Sequence, residues 1–125
     1  MSLASKTYYK IANEIEAEMD AEQDVNKKKE LRKVAAQNYF YSAMEAIEWK
    51  LKQAGIDLYS INSHEQRLNA VRKNSSQFKE LASLGLKFEI MINYDYRRKV
   101  AYKGENGNKF LILKELAELC QNEIK

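Results

Sequence analysis

The chain has little of what secreted, membrane-spanning and metal-dependent proteins need. Its 125 residues include one cysteine, one histidine and no proline. Cys120 alone cannot form an internal disulfide, and one histidine leaves too few ligands for a zinc site or a di-metal carboxylate bundle. The longest stretch without a charge, 34–44, is far shorter than the ~20 apolar residues of a membrane span. We therefore expect a cytoplasmic protein in a reducing compartment, with no metal, no other cofactor and no membrane segment.

The sequence also lacks a complete set of residues for an enzyme mechanism. Its four glycines, at positions 55, 85, 104 and 107, form no glycine-rich phosphate loop. His64 falls in the first turn of a predicted helix, where it is interpreted as a surface or capping residue. Glu45 and Glu48 could pair as acid and base, but acids three residues apart on a surface helix are usually solvated. Cys120 falls on an apolar helical stripe and is interpreted as a small hydrophobe.

The composition of the chain indicates one globular domain, residues 1–125. Hydrophobic residues make up 45% and charged residues 31% of the chain, which is typical of a folded domain that is too small to split. The net charge is only +3, but acids occupy 13–24 and bases follow at once. This basic run comprises Lys27, Lys28, Lys29, Arg32 and Lys33. The acid and base runs are expected to neutralise each other partly at the turn between them, and the asymmetry permits contact with nucleic acid.

Apolar periodicity predicts helices over most of the chain. The first spans about residues 5–22, and the second spans about 27–54 with Gly55 as its C-terminal stop. Ser63 and Gln66 form a capping-box pattern that opens a short third helix ending near Asn74. Residues expected to face the core of these helices include Tyr8, Ile11, Ile15 and Met19 in the first, and Leu31, Ala35, Tyr39, Ala43, Ala46 and Trp49 in the second. The last helix carries Phe110, Leu113, Ala117, Cys120 and Ile124.

The segment 78–103 fits two patterns. At helical spacing an apolar stripe of Leu84, Phe88 and Met91 continues into polar residues. At a period of two, residues 86–96 alternate as in a strand, and Asn106-Gly107 could turn a hairpin into Leu111 and Leu113. The strongly helical flanks and the marginal stability of a lone hairpin favour the helix. The sequence thus predicts an all-α bundle of four to five helices, with an α+β fold carrying a hairpin near 86–114 as the alternative.

One cluster combines basic residues with tyrosines. Its members are Asp95, Tyr96, Arg97, Arg98, Lys99, Tyr102 and Lys103. Guanidinium groups grip phosphates and aromatic rings stack on unpaired bases, so this mixture is what contact with RNA needs. The alternative interpretation is a helix end whose cations lie near its negative dipole pole.

These features together resemble a known family. Residues 36–56, with small and aromatic side chains, Glu45 and Glu48 and then a glycine, resemble the long helix of HEPN domains. HEPN stands for higher eukaryotes and prokaryotes nucleotide-binding. Residues 63–68 resemble the short helix that follows it, and 97–104 resembles the family motif of Arg, four to six residues and His. The order of the three segments matches the family from about residue 30 to 104.

The resemblance implies a helical bundle that forms a homodimer around this motif, and RNA cleavage by its Arg and His. Here Tyr102 replaces the histidine, and a group with a pKa near ~10 is poorly suited to proton transfer at neutral pH. Some members are toxins silenced by a nucleotidyltransferase that modifies a tyrosine two positions further on. Gly104 stands there in this chain, so that form of control does not carry over.

The sequence therefore predicts a non-catalytic HEPN-like domain that binds RNA or a nucleotide-related partner through Arg97, Arg98, Lys99 and Tyr102. A nucleotidyltransferase-type protein is a further candidate partner. Two alternatives stay open. One is a homodimeric adaptor for protein interactions with no nucleic-acid role, in which the same residues seal a subunit interface. The other is a HEPN ribonuclease or toxin that uses Tyr102 in place of histidine.

Overall fold

The computed structural model describes residues 2–74, 76, 78 and 107–123, and every regular element in them is helical. The elements are α1 (Leu3–Ala21), α2 (Val25–Gln53), a 3₁₀ turn (Leu58–Ser60), α3 (His64–Lys73) and α4 (Gly107–Glu123). The predicted all-α class is confirmed. Leu111 and Leu113, assigned to a strand in the hairpin alternative, belong to α4, so that alternative is wrong, while residues 79–103 of the ambiguous segment lie outside the described residues. None of the described helices has both the length and the apolar character needed to cross a bilayer.

Each of the first three helices begins at a polar side chain that accepts a hydrogen bond from a free backbone N–H. Ser2 Oγ accepts from Ser5 N at 3.1 Å, and Asp24 Oδ1 accepts from Lys27 N at 3.0 Å. At α3, Ser63 Oγ accepts from Gln66 N at 3.1 Å, while Gln66 Oε1 accepts from the backbone N–H of Asn62. The capping box predicted at Ser63 and Gln66 is therefore confirmed, with its return bond shifted by one residue.

The end of α2 forms a Schellman motif at Gly55. The N–H of Ile56 donates to the carbonyl of Leu51, and the N–H of Gly55 donates to the carbonyl of Lys52, both at 3.0 Å. This arrangement needs a left-handed residue, and Gly55 has φ of 84°. The predicted stop is confirmed, and Ile56 folds back to pack against the core.

Replacing Gly55 with alanine is expected to lower the free energy of unfolding by about 1–2 kcal/mol. Nothing lies within 4 Å of the position that a Cβ would take, so the loss comes from backbone strain without a clash. Urea denaturation at neutral pH measures it. Gly55→Asn is the matched control, because asparagine tolerates a left-handed backbone better than alanine. Equal stability of Gly55→Ala and the wild type would contradict the Schellman geometry.

The contact between α1 and α2 is built on small residues. On α1 the buried positions are Ser5, Ala12 and Met19, each seven residues apart, and small side chains there let the two helices approach closely. Met19 is buried and Ile15 packs, partly buried, against the core, as predicted. Tyr8 and Ile11, also predicted to face the core, are only half-buried, and that part of the prediction is corrected, because these larger side chains lie at the flank of the contact. On α2 the predicted Ala35, Tyr39, Ala43 and Ala46 are buried, while Leu31 and Trp49 are partly buried at the edge of the core.

The helix α4 closes the core with the predicted stripe. Phe110, Leu113, Ala117 and Cys120 are all buried, and Cys120 is fully enclosed, as expected for a small hydrophobe. Ile124 lies outside the described residues. Val71 of α3 and Phe78 join the same cluster.

A buried polar cluster joins α1, α2 and α4. Ser5 Oγ donates to the carbonyl of Ser42, and Ser42 Oγ donates to the carbonyl of Ser5, both at 2.8 Å. Gln121 Nε2 of α4 donates to Ser5 Oγ at 2.7 Å and reaches Ser42 Oγ at 3.3 Å. Both hydroxyls are thus satisfied, which burial requires.

A second cluster joins the same helices further along the bundle. The hydroxyl of the fully buried Tyr39 lies 2.6 Å from Glu16 Oε1 and 2.8 Å from Asn13 Oδ1. Its single proton is donated to the carboxylate, the stronger acceptor. Lys114 Nζ of α4 donates to Glu16 Oε2 at 2.7 Å. Glu16 therefore accepts hydrogen bonds from both α2 and α4.

Candidate functional site

The residues predicted to contact RNA, Arg97, Arg98, Lys99 and Tyr102, lie outside the described residues. The structure does describe the other basic run named by the sequence, which forms the first turns of α2, and the helix α4 that follows the predicted cluster along the chain. The geometry of these two helix starts defines the candidate site.

The two polar clusters show where α4 begins. Lys114 reaches Glu16, near the end of α1, whereas Gln121 reaches Ser5, near its start. The helix α4 is therefore antiparallel to α1 and parallel to α2. Gly107 lies seven residues before Lys114, or about 10 Å along the helix, so α4 begins at the end of the bundle that carries the α1–α2 turn.

The basic run at this end makes few ion pairs with the acids beside it. Among the described residues, no ion pair joins the acids of α1 to the bases of α2. The ion pairs present are Lys33–Glu30 at 3.5 Å, Arg67–Glu48 at 2.5 Å and Lys114–Glu16 at 2.7 Å. The expected partial neutralisation of the two runs at the turn therefore involves no ion pair among the described residues.

Helical register divides the basic run between two sides of α2. Lys28 and Arg32 precede Ala35 and Tyr39 by seven residues and so share the face that packs toward α4. Lys29 and Lys33 precede Ala36 and Phe40 by seven residues, so they lie on the side of α2 that Ala36 and Phe40 occupy. Lys29 is exposed, while Lys28, Arg32 and Lys33 are half-exposed. We call these four side chains, with the N-terminal ends of α2 and α4, the positive end of the bundle.

At the positive end, the Asp24 N-cap favours the start of α2, but the cations that follow it do not. The first turns of α2 and α4 contain no acidic side chain, and both helices direct the positive ends of their dipoles to this side. A cation near a helix N-terminus is unfavourable by a few tenths of a kcal/mol or more. Lys27 and Lys28, in the first turn of α2, therefore gain no stabilisation from the helix dipole, whereas Lys50 and Lys52 in its last turn do, and a surface that breaks a local rule is a candidate for function.

The other candidate chemistry of the sequence is structural in the described part of the chain. Arg67 of α3 contacts Glu48 through Nε at 3.2 Å and Nη2 at 2.5 Å, tying α3 to α2. Burial, and then the charge of Glu48, raise the pKa of Glu45, while Arg67 lowers it. His64 opens α3, as expected. No group of three or more His, Cys, Asp or Glu among the described residues is placed to hold a metal ion.

One further cleft lies beside α3. It has a volume of about 340 Å³ and is lined by Ile56, Ser60, Ile61, Gln66, Asn69, Ala70, Lys73 and Asn74. Lys73 is the one charged side chain among these residues, and none of them is a nucleophile paired with an activating base. The chain matches no protein-family model, no curated protein and no solved structure.

Proposed function

We propose that this protein binds RNA without cutting it and that the positive end of the bundle holds the RNA phosphates. The supporting observation is the set of cations near the start of α2. Lys28 lies in the first turn, where it opposes the helix dipole, and none of the four cations forms an ion pair with the acids of α1. Lysine and arginine that neutralise phosphates release counterions, which supplies affinity that is independent of base sequence.

The sequence adds a second set of contacts to this proposal. Arg97, Arg98 and Lys99 hold further phosphates, and Tyr102 stacks on an unpaired base. Lys103 precedes Gly107, the first residue of α4, by four positions in the sequence, so the second basic group comes shortly before this helix along the chain.

The resemblance to HEPN domains supplies the rest of the proposal. In a homodimer of that kind the two 97–102 segments face each other and form the groove that holds the RNA. Tyr102 lacks the near-neutral pKa of the motif histidine. Single-stranded RNA is therefore bound and left intact at neutral pH.

Removing two cations from the positive end should weaken RNA binding without weakening the fold. Lys28→Ala with Lys29→Ala is expected to lower the affinity about tenfold. The slope of log affinity against log salt should fall by about 1.4, since each lost contact to a single strand contributes ~0.7. Fluorescence anisotropy with a labelled oligoribonucleotide of about 12 nucleotides measures both. The free energy of unfolding should stay constant or rise slightly, because two unfavourable charges leave the helix N-terminus.

The matched control is Lys50→Ala with Lys52→Ala, which removes the same charge from the last turn of the same helix. It should bind RNA like the wild type. Arg97→Ala with Arg98→Ala should abolish binding. Equal losses in the two lysine pairs would contradict a localised site, and an absence of RNA binding at low salt would favour the protein-interaction alternative. If the wild type degrades RNA and Tyr102→Phe does not, the result would favour the alternative of a ribonuclease that uses Tyr102.

A further inference from the structure

The α1–α2 hairpin carries an apolar groove on the side that does not face α4. On α1, Tyr8, Ile15 and Glu22 follow one another at seven-residue intervals. On α2, Lys27, Val34 and Tyr41 do the same. Side chains seven residues apart lie on one stripe of a helix, so the two stripes run side by side along the hairpin. We call this surface the hairpin groove.

The middle of the hairpin groove is apolar and open to solvent. Val34 and Tyr41 each keep 41% of their surface exposed, and Ile11 and Ile15 are half-exposed. The rings of Tyr8 and Tyr41 lie 5.5 Å apart, so the two stripes meet at that end. Exposed apolar residues gathered in one groove between two helices mark an interaction surface better than isolated ones do.

The other end of the hairpin groove is acidic. A pocket of about 430 Å³ at this end is lined by Glu18, Glu22, Asn26, Lys27, Glu30 and Leu31. The backbone N–H groups of Gln23 and Asp24 donate to Glu22, and Glu30 lies 3.5 Å from Lys33. Glu14 shares the rim, since it precedes Glu18 by one turn. The rim therefore carries more negative than positive charge.

We propose that the hairpin groove binds one amphipathic helix of a partner protein, whose apolar stripe packs on Val34 and Tyr41 and whose Lys or Arg side chains face the acidic rim. From Glu30 to Tyr41 the groove is about 16 Å long, which accommodates three helical turns. Helix-in-groove recognition uses apolar anchors at i, i+3 or i+4, and i+7, with flanking charges for specificity. The acidic rim repels RNA and anionic membranes.

This partner site lies on a different side of α2 from Lys28 and Arg32 of the proposed RNA site, and the two sites meet only at the Lys33–Glu30 ion pair. Lys28 and Arg32 lie in register with Tyr39, on the α4 side of α2, whereas Val34 and Tyr41 lie on the opposite side. Binding at one site can therefore be removed without removing the other, and failure of the RNA proposal leaves this one intact.

The test uses a fluorescein-labelled helical peptide of about 18 residues, with leucine anchors on one face and lysine on both flanks. Anisotropy should give a dissociation constant on the order of tens of micromolar. A peptide of the same pattern with glutamate in place of lysine should not bind. Glu18→Lys should weaken binding about tenfold. Asp20→Lys makes the same charge change on another face of α1, in register with Asn13, and should leave binding within about twofold.

A second variant pair tests the apolar contact. Val34→Ser should weaken peptide binding about fivefold, whereas Leu111→Ser, which alters a more exposed apolar residue on α4, should not. Circular dichroism checks that both variants keep their helicity. Absence of binding, preference for the acidic peptide, or equal losses in target and control variants would overturn the proposal. The protein could instead associate with itself, lose this association in Val34→Ser and bind no peptide. That result would assign the groove to a second copy of the chain and would also overturn the proposal.

Discussion

Replacing Tyr39 with alanine is expected to lower the free energy of unfolding by about 3–5 kcal/mol. The ring is fully buried where α1, α2 and α4 meet, and it contacts the rings of Tyr9 and Phe110 at centroid distances of 5.8 and 5.9 Å. Truncation leaves a cavity between three helices and removes the hydroxyl that bonds to Glu16. Urea denaturation at neutral pH, followed by far-ultraviolet circular dichroism, measures the loss.

The control for this variant is Tyr39→Phe, which keeps the ring and removes only the hydroxyl. Its expected loss is about 1–2 kcal/mol, because Glu16 keeps its ion pair with Lys114. If Tyr39→Ala were no less stable than Tyr39→Phe, the ring would not be a central part of the core.

Alkaline solution should destabilise the fold steeply through the same residue. Burial, and then the hydrogen bond and charge of Glu16, raise the pKa of Tyr39 far above its ordinary value of 10.0. As the pH rises, the Tyr39 phenol is therefore deprotonated at a lower pH in the unfolded chain than in the folded protein. The stabilisation is complete below about pH 10 and is lost as the pH rises above it, by about 1.4 kcal/mol per pH unit for one group. Urea unfolding between about pH 8 and pH 11 measures this slope.

Tyr9 and Lys114 also lower the free energy of unfolding as the pH rises. The slope of the wild type against pH therefore does not report Tyr39 alone. Burial raises the pKa of Tyr9, and the hydrogen bond to Glu16 raises the pKa of Lys114. Both groups remain in Tyr39→Phe. The difference in slope between the wild type and Tyr39→Phe reports the single phenol, and parallel slopes would show that its pKa is not raised by folding.

The helix boundaries could be predicted from the sequence because local chemistry sets them. Ser63 with Gln66 and the left-handed Gly55 fix the start of α3 and the end of α2 within a few residues, whatever the rest of the chain does. The stripe from Phe110 to Cys120 similarly shows which side of α4 is buried. Each of these signals acts over one or two helical turns, and each is confirmed.

The packing of α1 was less predictable because size, more than hydrophobicity, decides it. The prediction was right for Met19 and Ile15, but it chose the bulky Tyr8 and Ile11 and missed the buried Ser5 and Ala12. The repeat of Ser5, Ala12 and Met19 at seven-residue intervals was present in the sequence and could have indicated this face. The partners of Glu16 and Ser5 had no such signal, because Lys114 and Gln121 are 98 and 116 residues away.

The candidate site was predicted in part. The sequence identified the basic run of α2 but assigned its charges to partial neutralisation by α1, and the ion pairs of the described residues do not support that pairing. The helix α4 begins at the end of the bundle that carries this basic run. Its position depends on long-range packing, which the apolar periodicity of the sequence does not specify. The roles of Arg97, Arg98, Lys99 and Tyr102 stay predictions.

The hydrogen bond from Gln121 to Ser5 also bears on the order of folding. The α1–α2 hairpin needs only a short turn to close, so it can form while the chain is still being synthesised. The bond to Gln121 closes a loop of 116 residues, and the entropy of closing a loop rises with its length. Until α4 arrives, the hydroxyls of Ser5 and Ser42 have only each other and the adjacent carbonyls. A nascent chain should therefore expose the α4-facing side of the hairpin, and chaperones would encounter it there.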